Sequence, residues 1–181
     1  MSGSEIFEII DDTTGEVIGT ALRSQCHGNP SLLHRSVHVI VFHSDGRILL
    51  QKRKWTKDIQ PGKWDTAVGG HLDPGETFEV AARREMREEL GISSGELEYL
   101  FQLKVRNRIE SENVCVFKTV CNGPFYPQES EVETVAFFEL TDLQKKLENS
   151  DTAEFTPLLC EELAKLFAVM REQTNGILTE A

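Results

Sequence analysis

Three glutamates, Glu85, Glu88 and Glu89, crowd into the run Arg84-Glu85-Met86-Arg87-Glu88-Glu89-Leu90-Gly91-Ile92. Wound into a helix at about 100° per residue, they fall together within an arc of roughly 100°. Ala82, Met86 and Leu90 make an apolar stripe beside that arc, and Ala81 lies inside it without bulk, leaving room for an approaching group. Like charges so spaced cost an isolated helix roughly 0.2–0.5 kcal/mol per pair. A hard divalent cation reverses the sign of that cost, because such ions take oxygen ligands. Arg84 adjoins the cluster and is suited to orient one carboxylate through paired hydrogen bonds. Glu76 stands just before the helix and can turn back toward the same place. The alternative is a solvated acidic face, which is what most helical Glu-Glu pairs are.

A second cluster suits phosphate. Lys52, Arg53, Lys54, Lys57 and Lys63 lie in one short stretch of a 181-residue chain whose formal net charge is -11. Arg53, Lys54 and Lys57 are the candidate phosphate contacts, with a solvated basic loop as the alternative. Trp55 and Trp64 offer faces for stacking on a base, although tryptophans this close to strands are usually core. Further along, Gln128-Glu129-Ser130-Glu131-Val132-Glu133 carries three more carboxylates.

The elements that must position these residues follow from period and punctuation. Glu5 to Ile10 and Val17 to Ala21 read as an amino-terminal hairpin around the Asp11 to Gly15 turn. Arg23 to Ser31 reads as a loop or short helix. Val37 to Phe42 is an almost continuous apolar run, expected to be a buried central strand. Ile48 to Gln51 and Trp64 to Val68 are further strands, the latter ending in Gly69-Gly70. Thr77 to Leu90 is the acidic helix, with Thr77 as its cap and Gly91 at its end. Strands follow at about Leu97 to Arg106, Val114 to Val120 and Val135 to Phe138, then a short helix from Thr141 to Leu147. The last helix is expected over about 156–173, with Thr156 as cap, Pro157 in the first turn, and Asn175-Gly176 as its stop. Its Leu159, Leu163, Leu166, Phe167 and Met170 share one face.

Gly70, five residues, Glu76, seven residues and then Arg84 to Ile92 reproduce the whole Nudix box, over 70–92. With residue frequencies of roughly 6%, seven fixed positions recur by chance in about one such chain in a million. The chain therefore resembles the Nudix hydrolases. That resemblance implies an α/β fold, an α/β/α sandwich around a mixed sheet. It also implies hydrolysis of a diphosphate bond in a nucleoside diphosphate linked to another moiety, with magnesium or manganese as cofactor. Carried over to this chain, Glu85, Glu88 and Glu89 would hold the metal, joined by the Gly70 carbonyl. Arg84 would orient Glu85, and Glu76 would support the loop or bind that arginine. Nudix hydrolases often draw a water-activating or metal-contacting glutamate from a distal loop, and Glu131 is the candidate here.

From about Glu5 to Met170 the similarity is to one branch. Leu33-His34-Arg35, Gln51-Lys52-Arg53, Pro61-Gly62-Lys63-Trp64 and Val68-Gly69-Gly70-His71 resemble type I isopentenyl-diphosphate isomerases and, still more, isomerase-like bacterial Nudix hydrolases. Those isomerases carry an essential cysteine directly before the Gly-His step, where this chain has Gly69. Cys115 and Cys121 lie on another strand and are poor substitutes. The isomerases also gather a metal with histidines and glutamates; His34 and His71 match two of them, and Glu110 or Glu112 lies near the glutamate positions. His71 is equally a candidate for substrate contact. His38 and His43 read as ordinary strand and turn histidines with hydrogen-bond partners.

Composition bounds the rest. Hydrophobic residues at 39% and charged ones at 27% are ordinary for a globular chain, and the length suits one domain over 1–181. The acidic balance argues against a nucleic-acid duplex as partner. Cys26, Cys115, Cys121 and Cys160 have no paired short spacing, which fits reduced thiols in a cytoplasmic protein. No apolar run reaches the roughly 20 residues needed to span a membrane, and Met1 to Glu5 lacks a signal pattern. The related branch suggests a homodimer through the hairpin or the last helix. Three functions follow: a hydrolase of a small phosphorylated substrate, an isomerase, which Gly69 opposes, and a non-catalytic nucleotide sensor, which the intact glutamates oppose.

Overall fold

The apolar run at Val37 to Phe42 lies at the centre of a seven-stranded sheet in the computed structural model, which describes residues 5–57 and 59–179, with side chains of the last helix described to residue 173. A hairpin of β1 (Ile6–Ile10) and β2 (Val17–Leu22) leads into a four-residue helix α1 (Arg23–Cys26). Then come β3 (Leu33–Phe42), β4 (Ile48–Arg53), β5 (Trp64–Thr66), β6 (Val68–His71) and α2 (Phe78–Leu90). The chain continues through β7 (Glu98–Arg106), β8 (Ser111–Val120), β9 (Val132–Phe138), α3 (Leu140–Glu148) and α4 (Pro157–Thr179).

The strand order is β5-β4-β3-β8-β7, with β6 also on β3 and β9 also on β4. β3 and β8 run parallel from Leu33 beside Ser111 to Phe42 beside Val120, and the other pairs are antiparallel. Alternation along β3 sorts its side chains between two layers. Val37, Val39 and Val41 meet Ala82, Met86 and Leu90 of α2. Ile40, on the other face, joins Leu143 of α3 and Leu159, Leu163 and Leu166 of α4. The result is the α/β/α sandwich with a mixed sheet and an amino-terminal hairpin.

Local signals account for the ends of α2: the Thr77 hydroxyl accepts from the Val80 amide at 3.3 Å, and Gly91 takes the left-handed φ of 70°. Four sequence expectations need correction. β3 starts four residues earlier than its apolar run, because His34, Arg35 and Ser36 keep pairing with β8. The strand expected from Trp64 to Val68 is two strands, since β5 pairs with β4 while β6 crosses to β3. Ala81 is buried in the core against the sheet and leaves no approach to the helix. Asn175-Gly176 does not end α4, which runs on to Thr179; a glycine weakens a helix interior by only about 1 kcal/mol. All four cysteines are free thiols, Cys26 and Cys115 buried. Among the described residues no helix is long and apolar enough to cross a membrane.

Candidate active site

β6 lies antiparallel to β3, with Gly69 opposite His38 and Gly70 opposite Val37. Side chains alternate along a strand, so these neighbouring glycines open toward opposite layers. On the α2 side, a Cβ at Gly70 would stand 2.0 Å from Glu85 Oε1. Only a glycine lets this carboxylate lie against the strand. One turn along α2, Glu89 Oε2 accepts from the Gly69 amide and from Gln51 Nε2, both at 3.1 Å. Glu85 and Glu89 are thus held by backbone and helix against one glycine pair, while Glu88 stands half-exposed beside them.

The electrostatics of this pair are unfavourable as it stands. Burial pushes the Glu89 carboxyl up to about 8, helped by the negative charge of Glu85. Burial likewise pushes Glu85 up to about 7, although Arg84 opposes it. Arg84 forms the rear support. Its guanidinium grips Glu76 in two bonds of 3.0 and 2.9 Å, donates to Glu85 Oε1 at 2.6 Å and to the His71 carbonyl at 2.8 Å. The Glu76 bonds raise the Arg84 pKa further and lower that of Glu76.

Glu85, Glu88 and Glu89 line a cleft of about 810 Å³ that Gly70, His71, Arg53, Lys57 and Glu131 also line. Most of the residues singled out in the sequence therefore meet in one place. Lys57 Nζ is ion-paired with Glu131. Arg53 is bonded to the Ile59 carbonyl and to Asp65, each at 3.1 Å. Lys54 lies outside the cleft, paired with Glu133 at 2.9 Å, and Glu76 sits behind Arg84. Trp64 meets Phe138 edge-on, as a core residue would, whereas Trp55 is 69% exposed and covers Gly62.

The same cleft reaches a histidine cluster. One ligand atom each from His27, His34, His71 and Glu112 lie within 4.8 Å of one another. Glu112 Oε1 is bonded to His34 Nε2 at 3.2 Å and to His71 Nε2 at 3.0 Å, and its Oε2 accepts from Ser36. Phe7 of the hairpin stacks on His71 at 4.2 Å between ring centres. Both ring nitrogens of His27 are buried without a hydrogen-bond partner, and burial pushes this imidazole down to about 4. Glu110, two residues before Glu112, has a carboxylate oxygen 3.9 Å from His27 Nε2.

Two buried polar residues in and beside the site escape a reading of the sequence alone. The chain has five histidines, and His27, in the irregular stretch after α1, is the one to which neither pattern nor resemblance gave a part. Glu162 is the other, 1% exposed on α4. Its signal was there: a carboxylate set among Leu159, Leu163 and Leu166.

The mixed sheet between helices is a fold shared with solved proteins. A crystal structure from Deinococcus radiodurans has the same fold, with a TM-score of 0.75 at 22% identity over 89% of this chain and 98% of that one. The Nudix-domain family model matches residues 32–159. An isopentenyl-diphosphate Delta-isomerase of Nocardia farcinica is 31% identical over 173 residues, 93% of this chain and 98% of the relative. A Nudix hydrolase of Yersinia pestis is 30% identical over 175 residues, 97% of this chain and 92% of the relative. The chain belongs to the Nudix family of pyrophosphohydrolases, in its isomerase-like branch.

Proposed function

We propose that this chain hydrolyses a diphosphate bond in a nucleoside diphosphate linked to another moiety, or in a similar small diphosphate. Magnesium or manganese is the cofactor, held by Glu85, Glu88, Glu89 and the Gly70 carbonyl. The observation that carries the reading is the burial of Glu85 and Glu89 against the Gly69-Gly70 pair, with both carboxyls raised toward neutrality. Two such groups lack sufficient positive charge, and oxygen donors in that number suit a hard divalent cation. When bound, the ion neutralises diphosphate oxygens and makes a water molecule more acidic.

The remaining work falls to the chain. Arg84 fixes the rotamer of Glu85, and Glu76 fixes Arg84. Arg53 and Lys57 supply cationic contacts to the phosphates, and His71, whose burial favours the neutral ring, a further uncharged one. Glu131 takes the proton of the attacking water at its carboxylate. The water oxygen bonds to phosphorus, the bridging P–O bond breaks, and the second phosphate leaves with its electrons.

We further infer a second cation at His27, His34, His71 and Glu112, since His27 brings a buried ring nitrogen without a hydrogen-bond partner to within 4.8 Å of the other three ligand atoms. Neutral imidazoles with one carboxylate suit a first-row divalent ion. Isopentenyl-diphosphate isomerisation is disfavoured, because Gly69 offers neither acid nor base. The chain is taken as one domain of a cytoplasmic protein. A homodimer through the hairpin draws support from the exposed Val17, Ile18 and Leu22 of β2.

The test is a panel of nucleoside diphosphate derivatives and small diphosphates with magnesium, followed by phosphatase-coupled phosphate release. Turnover of at least one member, lost in Glu89→Gln, is expected. No turnover, or turnover indifferent to that substitution, overturns the reading. Deuterium uptake from solvent into isopentenyl diphosphate would restore the isomerase.

A further inference from the structure

His38, which lines the cleft, belongs to a buried charge pair that hydrolysis as described leaves unused. His38 of β3 faces α4, and its Nδ1 lies 2.6 Å from Glu162 Oε2. The other Glu162 oxygen accepts from Thr66 Oγ1 at 2.7 Å. Both residues are buried, Glu162 within the leucine face of α4. A buried ion pair is a poor device for stability alone, since apolar residues of similar volume commonly do as well or better.

The orientation of the ring gives the pair a direction. With Nδ1 committed to Glu162, the imidazole turns its other edge to Gly69. A Cβ there would lie 2.9 Å from His38 Cδ2 and 3.0 Å from Nε2. The absent side chain at Gly69 therefore uncovers this edge to the cleft, which His38, Gly69 and Glu89 line together. The Gly69 amide donates to Glu89 Oε2 at 3.1 Å. The imidazole edge and the Glu89 carboxylate consequently flank a single residue. Burial alone would lower the His38 pKa, but the charge and bond of Glu162 outweigh it and push it up to about 9.

We propose that His38 binds an oxygen of the substrate diphosphate through its Nε2–H, and that Glu162 and Thr66 are positioning residues that fix the charge and orientation of the ring. The proposal rests on the diphosphate reading of the cleft and adds a contact from the layer opposite the glutamate helix. An imidazolium N–H aimed at a phosphate oxygen is a charge-assisted bond, short and directional. Its placement beside Gly69 makes the glycine a requirement of binding as well as of backbone packing.

The test uses the whole chain with magnesium and inorganic pyrophosphate, read by NMR of the histidine ring nitrogens and by calorimetry. Pyrophosphate is expected to shift the His38 Nε2 resonance of the wild-type protein. His38→Phe and Glu162→Gln are each expected to weaken pyrophosphate binding by about tenfold, the loss of one charge-assisted bond. Gly69→Ala displaces the ring, so it should weaken binding similarly alone and add nothing to His38→Phe. A purely structural pair would leave the resonance unmoved, and that result overturns the proposal. So does unchanged affinity in folded His38→Phe, or failure of the folded wild-type protein to bind pyrophosphate. The wild-type NMR measurement needs no variant to fold. Turnover of the diphosphate panel with an unmoved resonance removes His38 and leaves the hydrolase standing; a shifted resonance without turnover does the reverse.

Discussion

Replacing Glu89 by Gln should raise the melting temperature of the metal-free protein, and by more as the pH rises. The Glu89 carboxyl is 7% exposed and is pushed up to about 8, from an ordinary 4.5, by burial and then by Glu85. The folded state therefore holds this proton more tightly than the unfolded chain does. Below pH 4.5 both states are protonated and nothing is lost. Between pH 4.5 and 8 the unfolded chain releases its proton while the folded one keeps it, so stability falls as pH rises. The full difference is worth about 5 kcal/mol above pH 8, and about 3 kcal/mol at pH 7, as ceilings. Gln cannot titrate, and its amide oxygen can still accept from the Gly69 amide and Gln51. At roughly 2–4 °C per kcal/mol for a chain of this size, the gain expected at pH 7 is at most about 6–12 °C. Thermal unfolding by circular dichroism in chelator at pH 5, 7 and 9 reads the gap, and excess magnesium should close it. A Gln variant that melts below the wild type at pH 9, or a gap equal at pH 5 and 9, refutes the reasoning.

Arg84→Ala leaves the partly buried carboxylates of Glu76 and Glu85 without their cation, and should cost about 3–5 kcal/mol, read by denaturant unfolding. Gly70→Ala drives a Cβ into Glu85 Oε1; magnesium affinity, measured as the metal dependence of turnover, should weaken by about 10–100-fold with the fold retained. Glu131→Gln should lower kcat by about 100-fold or more with little change in KM in steady-state kinetics, the signature of a lost base. His27→Ala should remove one manganese equivalent in calorimetry while leaving the magnesium dependence of hydrolysis in place, because the histidine cluster shares no ligand with α2.

The parts of the fold legible in the sequence were those written in one element at a time. Thr77, Gly91 and the Ala82-Met86-Leu90 stripe define α2 locally, and the same local rules gave the hairpin and the start of α4. Pairing across the sheet was not legible in that way. His34 and Ser36 look like interruptions of a strand until Glu112, 76 residues after Ser36, supplies their bonds. The division of Trp64 to His71 into two strands depends on which neighbour each half meets, which no periodicity records. For the site, the fixed spacing of the glutamates and Arg84 marked one helix and its approach. His27 and Glu162 carried no spacing to their partners, because β3 brings them to His34 and His38 only after folding.

Gly69 also constrains how the two activities of this branch can be reached from one another by mutation. Restoring the isomerase cysteine by Gly69→Cys would set a Cβ against the His38 ring, so the thiol and the imidazole compete for the same few cubic ångströms. A single substitution would spoil the existing cleft before it created the new one. His38 must shrink first or at the same time, and Glu162 would then be left buried with Thr66 alone. A cysteine at position 69 therefore calls for a compensating change at His38, and that change in turn bears on Glu162.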